Sequence, residues 1–227
     1  GCYIQQFSES YFSERHDTDW GRGINFDGKA SGPVREFYVA NATYWITEFH
    51  LDGFRFDATQ SILDESKEHI LTALGRAARE AGGTRSIYLI AENEPQETKI
   101  ARSIEEGGYG LDGLWNDDFH HTAVVALTGR SEAYYTDYKG SPQEFISAAK
   151  YGYLYQGQRY DWQKNRRGKP SFGLPHCAFI NYLENHDQTA NSARGLRLHQ
   201  MTSPGLHRAL TAYMLLAPQP PMLFQGE

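Results

Sequence analysis

Residues 50–60 read HLDGFRFDATQ, and this stretch decides which fold the chain adopts. Successive side chains of an extended strand alternate between two faces, so residues two apart share a face. Phe54 and Phe56 therefore lie on one face, and Arg55 and Asp57 lie on the other. The pattern predicts a strand with an aromatic packing face and a charged pair opposite to it. A tolerated buried ion pair would explain that charged pair as structure, and a reaction site would explain it as function.

Helix-like and strand-like segments alternate on both sides of this stretch. A helix is predicted at 32–50, with an early proline and a broad apolar stripe, and it leads into a strand at 51–57. A second helix is predicted at 64–83, and a short β-rich strand at 86–92. The later segments are a very short strand at 110–117, a capped helix at 141–155, a strand at 177–188, a capped helix at 203–218 and a last strand at 220–227. This alternation predicts an α/β fold with a parallel sheet.

Four of the predicted strands end in charged residues. These residues are Asp57, Glu92, Asp117 with Asp118, and His186 with Asp187. In parallel α/β folds the functional groups lie at the C-terminal ends of the strands. Several carboxylates on one rim are hard to explain as structure, because like charges repel and their desolvation is costly. The pattern therefore favours a reaction site.

Paired carboxylates suit cleavage of a glycosidic bond, in which one group protonates the leaving oxygen and the other attacks the anomeric carbon or activates water. Their environments must separate their pKa values. Arg55 would favour the ionised form of Asp57, as a nucleophile requires. Glu92 follows an apolar run, where desolvation and the negative charge of Asp187 would keep it protonated and ready to donate.

Three short motifs resemble those of a known enzyme family. FRFDA (54–58), the IAE triplet that ends at Glu92, and NHDQ (185–188) are similar to the fourth-, fifth- and seventh-strand motifs of the α-amylase family of glycoside hydrolases. Their order and their separation along the chain also fit. Each motif alone would be a weak signal, and the three together are a strong one.

The resemblance implies a role for each matching residue. Asp57 would be the nucleophile, Glu92 the general acid/base, and Asp187 the stabiliser of the transition state. Arg55 and His186 would orient the sugar and the nucleophile. Taken singly, Asp57 with Arg55 reads better as an ion pair, Glu92 as a helix-capping acid, and His186 as a hydrogen-bonded histidine. The joint pattern favours catalysis.

The stretches between the motifs resemble one group within the family, whose members hydrolyse the α-1,4 bond next to a terminal trehalose unit on a short maltodextrin. These stretches are DWGRGINFDG (19–28), LWNDDFHH (114–121), YQGQ (155–158) and NHDQTAN (185–191). Glucan-branching members usually have Glu where this chain has Gln188. Gln60 and Ala190 depart from the trehalose-releasing pattern, which usually has His and Gly there. A glucan transferase and a non-catalytic relative remain as alternatives, although such non-catalytic relatives typically lose a carboxylate.

The family fold is a (β/α)8 TIM-type barrel, and this chain is expected to hold only part of it, roughly strands four to eight. The third-strand motif is absent, and a complete barrel needs about 250 residues for its eight units. We interpret residues 1–227 as a single domain, the C-terminal part of the catalytic barrel, truncated at both ends. The parent protein is predicted to be an enzyme, and the fragment alone is predicted to be inactive and to expose sheet edges.

Further sugar contacts are less sharply marked. Trp115 and Tyr155 could stack on sugar rings, although burial is the commoner fate of an aromatic ring. Asp117 and Asp118 could orient the saccharide or satisfy backbone groups in a loop, and the sequence leaves both alternatives open.

Composition limits the classes of partner. A net charge of −6 argues against nucleic acid, and the basic run at 164–170 is expected to be a solvated loop. No apolar run reaches the roughly 20 residues that span a bilayer. Cys2 and Cys177 have neither a disulfide framework nor metal-ligand spacing, so a cytoplasmic location is expected. The expected partner is an α-glucan oligosaccharide, with no membrane partner, cofactor or metal.

Overall fold

The computed structural model describes residues 3–191 and 194–227, with the backbone alone for Gln5. These residues form two compact units. The first holds the chain up to Glu94 together with Lys99–Asp112, and the second holds Pro95–Thr98 and Gly113–Glu227. The single domain expected for 1–227 refers to the parent barrel and stays a prediction.

In the first unit a parallel strand pair and two helices follow an antiparallel hairpin. The elements are β1 (Phe12–Thr18), β2 (Gly21–Ile24), α1 (Gly32–Glu48), β3 (Gly53–Phe56), α2 (Ile70–Gly82) and β4 (Tyr88–Ala91). β1 and β2 pair with Phe12 opposite Ile24, and Thr18 opposite Gly21. Sequence reasoning did not predict this hairpin, whereas it predicted both helices and both parallel strands.

Strands β3 and β4 are parallel and are joined through α2, as the alternation of elements predicts. Phe54 lies opposite Leu89, and Phe56 lies opposite Ala91. Gly53 has a steric reason to be glycine, because a Cβ atom there would lie 1.9 Å from the carbonyl oxygen of Tyr88. The register therefore depends on a close backbone approach at the start of β3.

The aromatic face of β3 packs as predicted. Phe54 and Phe56 lie against a cluster drawn mainly from α1 and α2. Its buried members are Phe26, Val34, Ala42, Ile70, Ala73 and Leu74. Because side chains alternate along a strand, this packing directs the intervening Arg55 to the opposite face.

The second unit combines a second parallel strand pair with five helices and a small hairpin. The elements are β5 (Gly113–Trp115), α3 (Asp117–Thr128), α4 (Pro142–Tyr151), β6 (Arg159–Tyr160), β7 (Asn165–Arg166), β8 (Phe179–Ile180), α5 (His186–Asn191), α6 (Leu198–Met201) and α7 (Pro204–Leu216). β5 and β8 are parallel, with Trp115 opposite Ile180. β6 and β7 form an antiparallel hairpin, with Tyr160 opposite Asn165.

Helix α3 was missed by sequence reasoning. The side chain of Asn116 caps it by accepting a hydrogen bond of 3.1 Å from the backbone N–H of Phe119. Two aspartates in its first turn suit the positive end of the helix dipole. The Asn-Asp-Asp sequence at 116–118, which was read as the polar end of a strand, is therefore the start of a helix.

Two predicted strands are shorter than expected. In the segment 177–188 only Phe179–Ile180 is a strand, and a helix begins at His186. In the segment 220–227 the pairing shrinks to an isolated bridge between Asn181 and Pro221. Both hydrogen bonds of this bridge are present, from the N–H of Asn181 to the carbonyl of Pro220 (3.0 Å) and from the N–H of Met222 to the carbonyl of Asn181 (2.8 Å).

The helices of the second unit enclose its core. α3 contributes Phe119 and Leu127, α4 contributes Ala148, and α7 contributes Met214. The observed pairs confirm an α/β fold with parallel strands. Within the described residues no helix has the length and apolar character required to span a bilayer.

Candidate active site

Arg55, Asp57 and Glu92 come together at the C-terminal ends of β3 and β4. The Nη1 atom of Arg55 contacts the carboxylate of Asp57, and its Nη2 atom lies 2.8 Å from Oε2 of Glu92. Because both nitrogens belong to one guanidinium, the two acids share a single positive charge. That charge offsets the repulsion between two neighbouring carboxylates. Sequence reasoning had assigned Arg55 to Asp57 alone.

The turn after β3 fixes Glu92 in place. Oε2 of Glu92 accepts a hydrogen bond of 2.8 Å from the backbone N–H of Ala58. The carbonyl of Glu92 accepts bonds from the N–H and the hydroxyl of Thr59, at 3.0 and 2.6 Å. Ala58 has a left-handed backbone (φ 41°, ψ 51°), which costs an alanine about 1 kcal/mol. This strained turn lies directly after Asp57, where it holds the two strand ends together.

The two acids differ in their exposure to solvent. The side chain of Asp57 is 77% exposed, whereas that of Glu92 is only 23% exposed. Asp57 is therefore open to an incoming ligand, and Glu92 is the more shielded acid, as its position after an apolar strand predicts. Arg55 and Asp57 also line a cavity of about 410 Å³, whose other walls are largely apolar.

His186 and Asp187 lie at the start of α5 in the second unit. Nε2 of His186 is 3.5 Å from Oδ2 of Asp187, and both side chains are about half exposed. Oδ1 of Asn185 accepts hydrogen bonds from the backbone N–H groups of Asp187 and Gln188, at 3.0 and 3.1 Å. The strand-seven motif therefore presents its two candidate side chains to solvent from a capped helical turn.

Asp117 and Asp118 are adjacent in sequence but differ in their surroundings. The carboxylate of Asp118 is buried and accepts hydrogen bonds from the hydroxyl of Tyr138 (2.6 Å) and the backbone N–H groups of Leu154 (2.8 Å) and Tyr155 (2.9 Å). These bonds hold the loop at 154–155 against the start of α3. Asp117 accepts a hydrogen bond from the Tyr182 hydroxyl and keeps 14% of its side chain exposed. The sequence left two roles open for this pair, binding the saccharide and holding a loop. The structure gives Asp118 the second role, whereas Asp117 remains accessible to a ligand.

The prediction of a solvated basic loop at 164–170 was wrong for one residue. The side chain of Arg167 is only 1% exposed, and its guanidinium lies 3.7 Å from Asp117 and 3.6 Å from Asp118. No sequence signal distinguished Arg167 from its exposed neighbour Arg166, since only tertiary contacts bury it.

The two candidate stacking residues are largely packed into the second unit. Trp115 is 5% exposed and lies against the rings of Tyr182 and His186. Tyr155 is partly buried, which raises the pKa of its hydroxyl, and it packs against Tyr138 and Tyr160. Ring burial is therefore the main role that the structure gives Trp115.

Two adjacent histidines of α3, His120 and His121, are buried among tyrosine rings. Nδ1 of His120 lies 2.6 Å from the carbonyl oxygen of Leu183 and Nε2 lies 3.3 Å from the hydroxyl of Tyr135. A carbonyl can only accept, so Nδ1 carries the hydrogen. Burial lowers the pKa of His120 to about 4 and that of His121 well below its usual value. In the described part of the chain no three His, Cys, Asp or Glu side chains are grouped as metal ligands.

Comparison with known proteins identifies the family. No protein-family profile matches the chain. A malto-oligosyltrehalose trehalohydrolase from Saccharolobus solfataricus is 36% identical over 217 residues, which are 96% of this chain and 38% of that protein. A crystal structure from Salmonella typhimurium, assigned as an alpha amylase, aligns with a TM-score of 0.88 at 35% identity. The chain belongs to the α-amylase family.

The extent of these matches limits what the family resemblance covers. The alignment with the alpha amylase structure covers 100% of this chain and 39% of that protein. A 1,4-alpha-glucan branching enzyme from Bacillus subtilis is 35% identical over 118 residues, which are 47% of this chain and 18% of that enzyme. The chain thus spans well under half the length of each of these relatives.

Proposed function

We propose that the full-length protein containing this chain is a retaining glycoside hydrolase that cleaves α-1,4-glucosidic bonds and releases trehalose from maltooligosyl trehalose. The observation that carries this proposal is the bridge that Arg55 forms between Asp57 and Glu92 at neighbouring strand ends. One carboxylate is open to solvent and the other is shielded, which is the asymmetry that a nucleophile and a proton donor require.

The reaction would proceed through a covalent intermediate. Asp57 attacks the anomeric carbon while Glu92 donates its proton to the leaving glycosidic oxygen. Glu92 then removes a proton from water, which attacks the anomeric carbon and frees Asp57. Arg55 offsets the negative charge of Asp57 before the attack and that of Glu92 once it has given up its proton, and the half-exposed Asp187 and His186 bind sugar hydroxyls.

The parallel strands β3, β4, β5 and β8 are proposed to be strands four to seven of a (β/α)8 barrel. The 39% coverage of the alpha amylase structure supports a partial barrel. On this account residues 1–227 are one continuous part of a catalytic barrel that binds α-glucan in the cytoplasm.

A glucan transferase is the second candidate, because the same intermediate can be transferred to an acceptor sugar in place of water. The observation in its favour is the similarity to a branching enzyme, which covers about half of the chain. The trehalohydrolase match is more extensive, at 96% of the chain, and supports hydrolysis.

One assay separates these candidates. The full-length protein is incubated with maltooligosyl trehalose, and free trehalose and chain-length products are quantified by chromatography. Free trehalose as the main product supports the hydrolase. Lengthened or branched glucans without free trehalose would establish the transferase and overturn the proposal.

A further inference from the structure

Arg167 is a buried cation placed between two aspartates at the end of β5. Its side chain is 1% exposed, and the nearest carboxylate oxygens of Asp117 and Asp118 are 3.7 and 3.6 Å away. A single arginine thus balances two carboxylates. Since transferring a charge out of water is costly, a fully enclosed arginine must be held by its partners.

The hairpin β6–β7 fixes the position of Arg167. Its backbone N–H donates to the carbonyl of Gln158 at 3.0 Å, and its own carbonyl accepts from Gly157 at 2.8 Å. The guanidinium lies over the ring of Tyr160, whose hydroxyl donates to the carbonyl of Tyr134 at 2.6 Å. These contacts leave the guanidinium little freedom to move away from the aspartates.

The two aspartates differ in their contacts and in their exposure to solvent. Asp118 is held by three hydrogen bonds besides its ion pair, so it would keep its position without Arg167. Asp117 accepts a hydrogen bond from the Tyr182 hydroxyl, keeps 14% of its side chain exposed and lies 3.7 Å from the Arg167 guanidinium. The charge of Arg167 is therefore one of the contacts that orient the more exposed aspartate.

A chain of ring contacts continues from Asp117 to the strand-seven motif. Tyr182 bonds to Asp117 through its hydroxyl, and its ring centroid lies 5.4 Å from that of Trp115. Trp115 in turn makes an edge contact with His186 at 6.3 Å. These contacts thus connect Asp117 with His186, a half-exposed candidate sugar-binding residue.

We propose that Arg167 is a positioning residue, which fixes the Asp117 carboxylate and, through Tyr182 and Trp115, the His186 ring for sugar binding. This inference rests on the proposed function, because it assigns these side chains to the saccharide. Arg167 itself is buried, so its proposed effect on the saccharide is indirect.

The test is a double-mutant cycle in the full-length protein. The variants are Arg167→Met, Arg167→Lys, Asp117→Asn and the double variant Arg167→Met with Asp117→Asn. The control is Arg159→Met, which removes an exposed arginine of the same hairpin that pairs with Asp161 at the surface. Trehalose release gives kcat and KM, and calorimetric titration with a maltooligosaccharide gives Kd. Circular dichroism checks folding.

Arg167→Met and Asp117→Asn are each expected to lower kcat/KM and to weaken maltooligosaccharide binding at least tenfold. Arg167→Lys should recover part of the loss because it keeps the charge, and Arg159→Met should stay within twofold of wild type. The double variant should match Asp117→Asn, since residues that act through one another are not additive. If Arg167→Met does not fold, Arg167→Lys and Asp117→Asn are compared with the wild type instead. The inference is overturned if both of these variants bind maltooligosaccharide as tightly as the wild type.

Two further outcomes would also contradict the inference. These are wild-type kinetics in folded Arg167→Met, and losses that multiply in the double variant. A wild-type protein that binds maltooligosaccharide but releases no trehalose refutes the proposed hydrolysis, and the binding cycle still tests Arg167. A wild-type protein that binds no maltooligosaccharide refutes both.

Discussion

A single guanidinium lies against two acids at the ends of β3 and β4, and its contacts are the most specific residue-scale feature of the first unit. Nη1 of Arg55 contacts Asp57, and Nη2 lies 2.8 Å from Glu92. Alternation along the strand predicted that Arg55 and Asp57 share a face. The sharing of Arg55 with Glu92 could not be predicted, because it depends on the register between two strands far apart in sequence.

Replacing Arg55 by Met is expected to lower kcat/KM about 100-fold or more, by analogy with the loss of one donor that stabilises charge in a transition state. The variant leaves Asp57 and Glu92 without their common counter-charge. Steady-state trehalose release by the full-length protein measures the effect. Arg76→Met is the matched control, because Arg76 is an exposed arginine of the same unit that pairs with Glu68. Equal activity of both variants would rule out a catalytic role for Arg55.

His120 should make the free energy of unfolding dependent on pH. Burial lowers its pKa to about 4, whereas an unfolded histidine titrates near 6.5. Between pH 6.5 and 4 the unfolded state therefore binds the extra proton. The free energy of unfolding should fall by up to about 3 kcal/mol across that window as the pH decreases.

Urea unfolding of the full-length protein at several pH values checks this expectation. His120→Gln should flatten the dependence without removing it, because burial lowers the pKa of His121 in the same direction. His176→Gln, at an exposed histidine, should leave the dependence unchanged. A wild-type stability that is constant from pH 6.5 to 4 would contradict the buried neutral ring.

At the scale of elements, regular patterns were predicted well and irregular ones poorly. Helix α4 follows the Ser-Pro-x-Glu signal at 141–144, and Glu144 accepts a hydrogen bond from the N–H of Ser141 as expected. The hairpins β1–β2 and β6–β7 were missed because their strands carry no clear alternation of apolar and polar residues. Arg167 was missed for a related reason, since the tertiary contacts of its hairpin decide its burial.

Replacing Glu144 by Ala should destabilise α4. Glu144 accepts from the backbone N–H of Ser141 at 3.0 Å and from that of Lys139 at 3.0 Å, so the variant leaves two donors without this acceptor. The expected cost is about 1 kcal/mol, or roughly 2–4 °C in Tm. Calorimetry measures the shift, with Glu105→Ala at an exposed glutamate as the control. Equal Tm values for the two variants would refute the capping role.

At the scale of the whole molecule, the chain is well under half of the proteins it resembles. Helix α1 and the residue that ends it carry aromatic side chains that remain about half exposed, namely Phe37 and Tyr44 in the helix and Phe49 directly after it. An apolar surface of this kind marks a face that other parts of a protein cover. The three-motif pattern predicted the family correctly, whereas composition gave no indication of this uncovered face.

The 227-residue chain alone is therefore expected to be inactive and to associate. Its exposed aromatic helix face should bind a hydrophobic dye more strongly than the full-length protein does. Light scattering, dye fluorescence and a trehalose-release assay on both proteins test this. A monodisperse chain with measurable hydrolysis would contradict the expectation.

A nucleophilic Asp57 forms a covalent bond with the sugar, and that glycosyl-enzyme intermediate can be trapped. The full-length protein is treated with a fluorinated glucosyl fluoride, which forms the glycosyl-enzyme quickly and releases it slowly, and is then digested with trypsin. A glycosyl mass is expected on the peptide 56–67, localised to Asp57 by fragmentation, and it should be absent from the Asp57→Asn variant. A label on any other residue, or turnover of the reagent by Asp57→Asn at the wild-type rate, would contradict this role of Asp57.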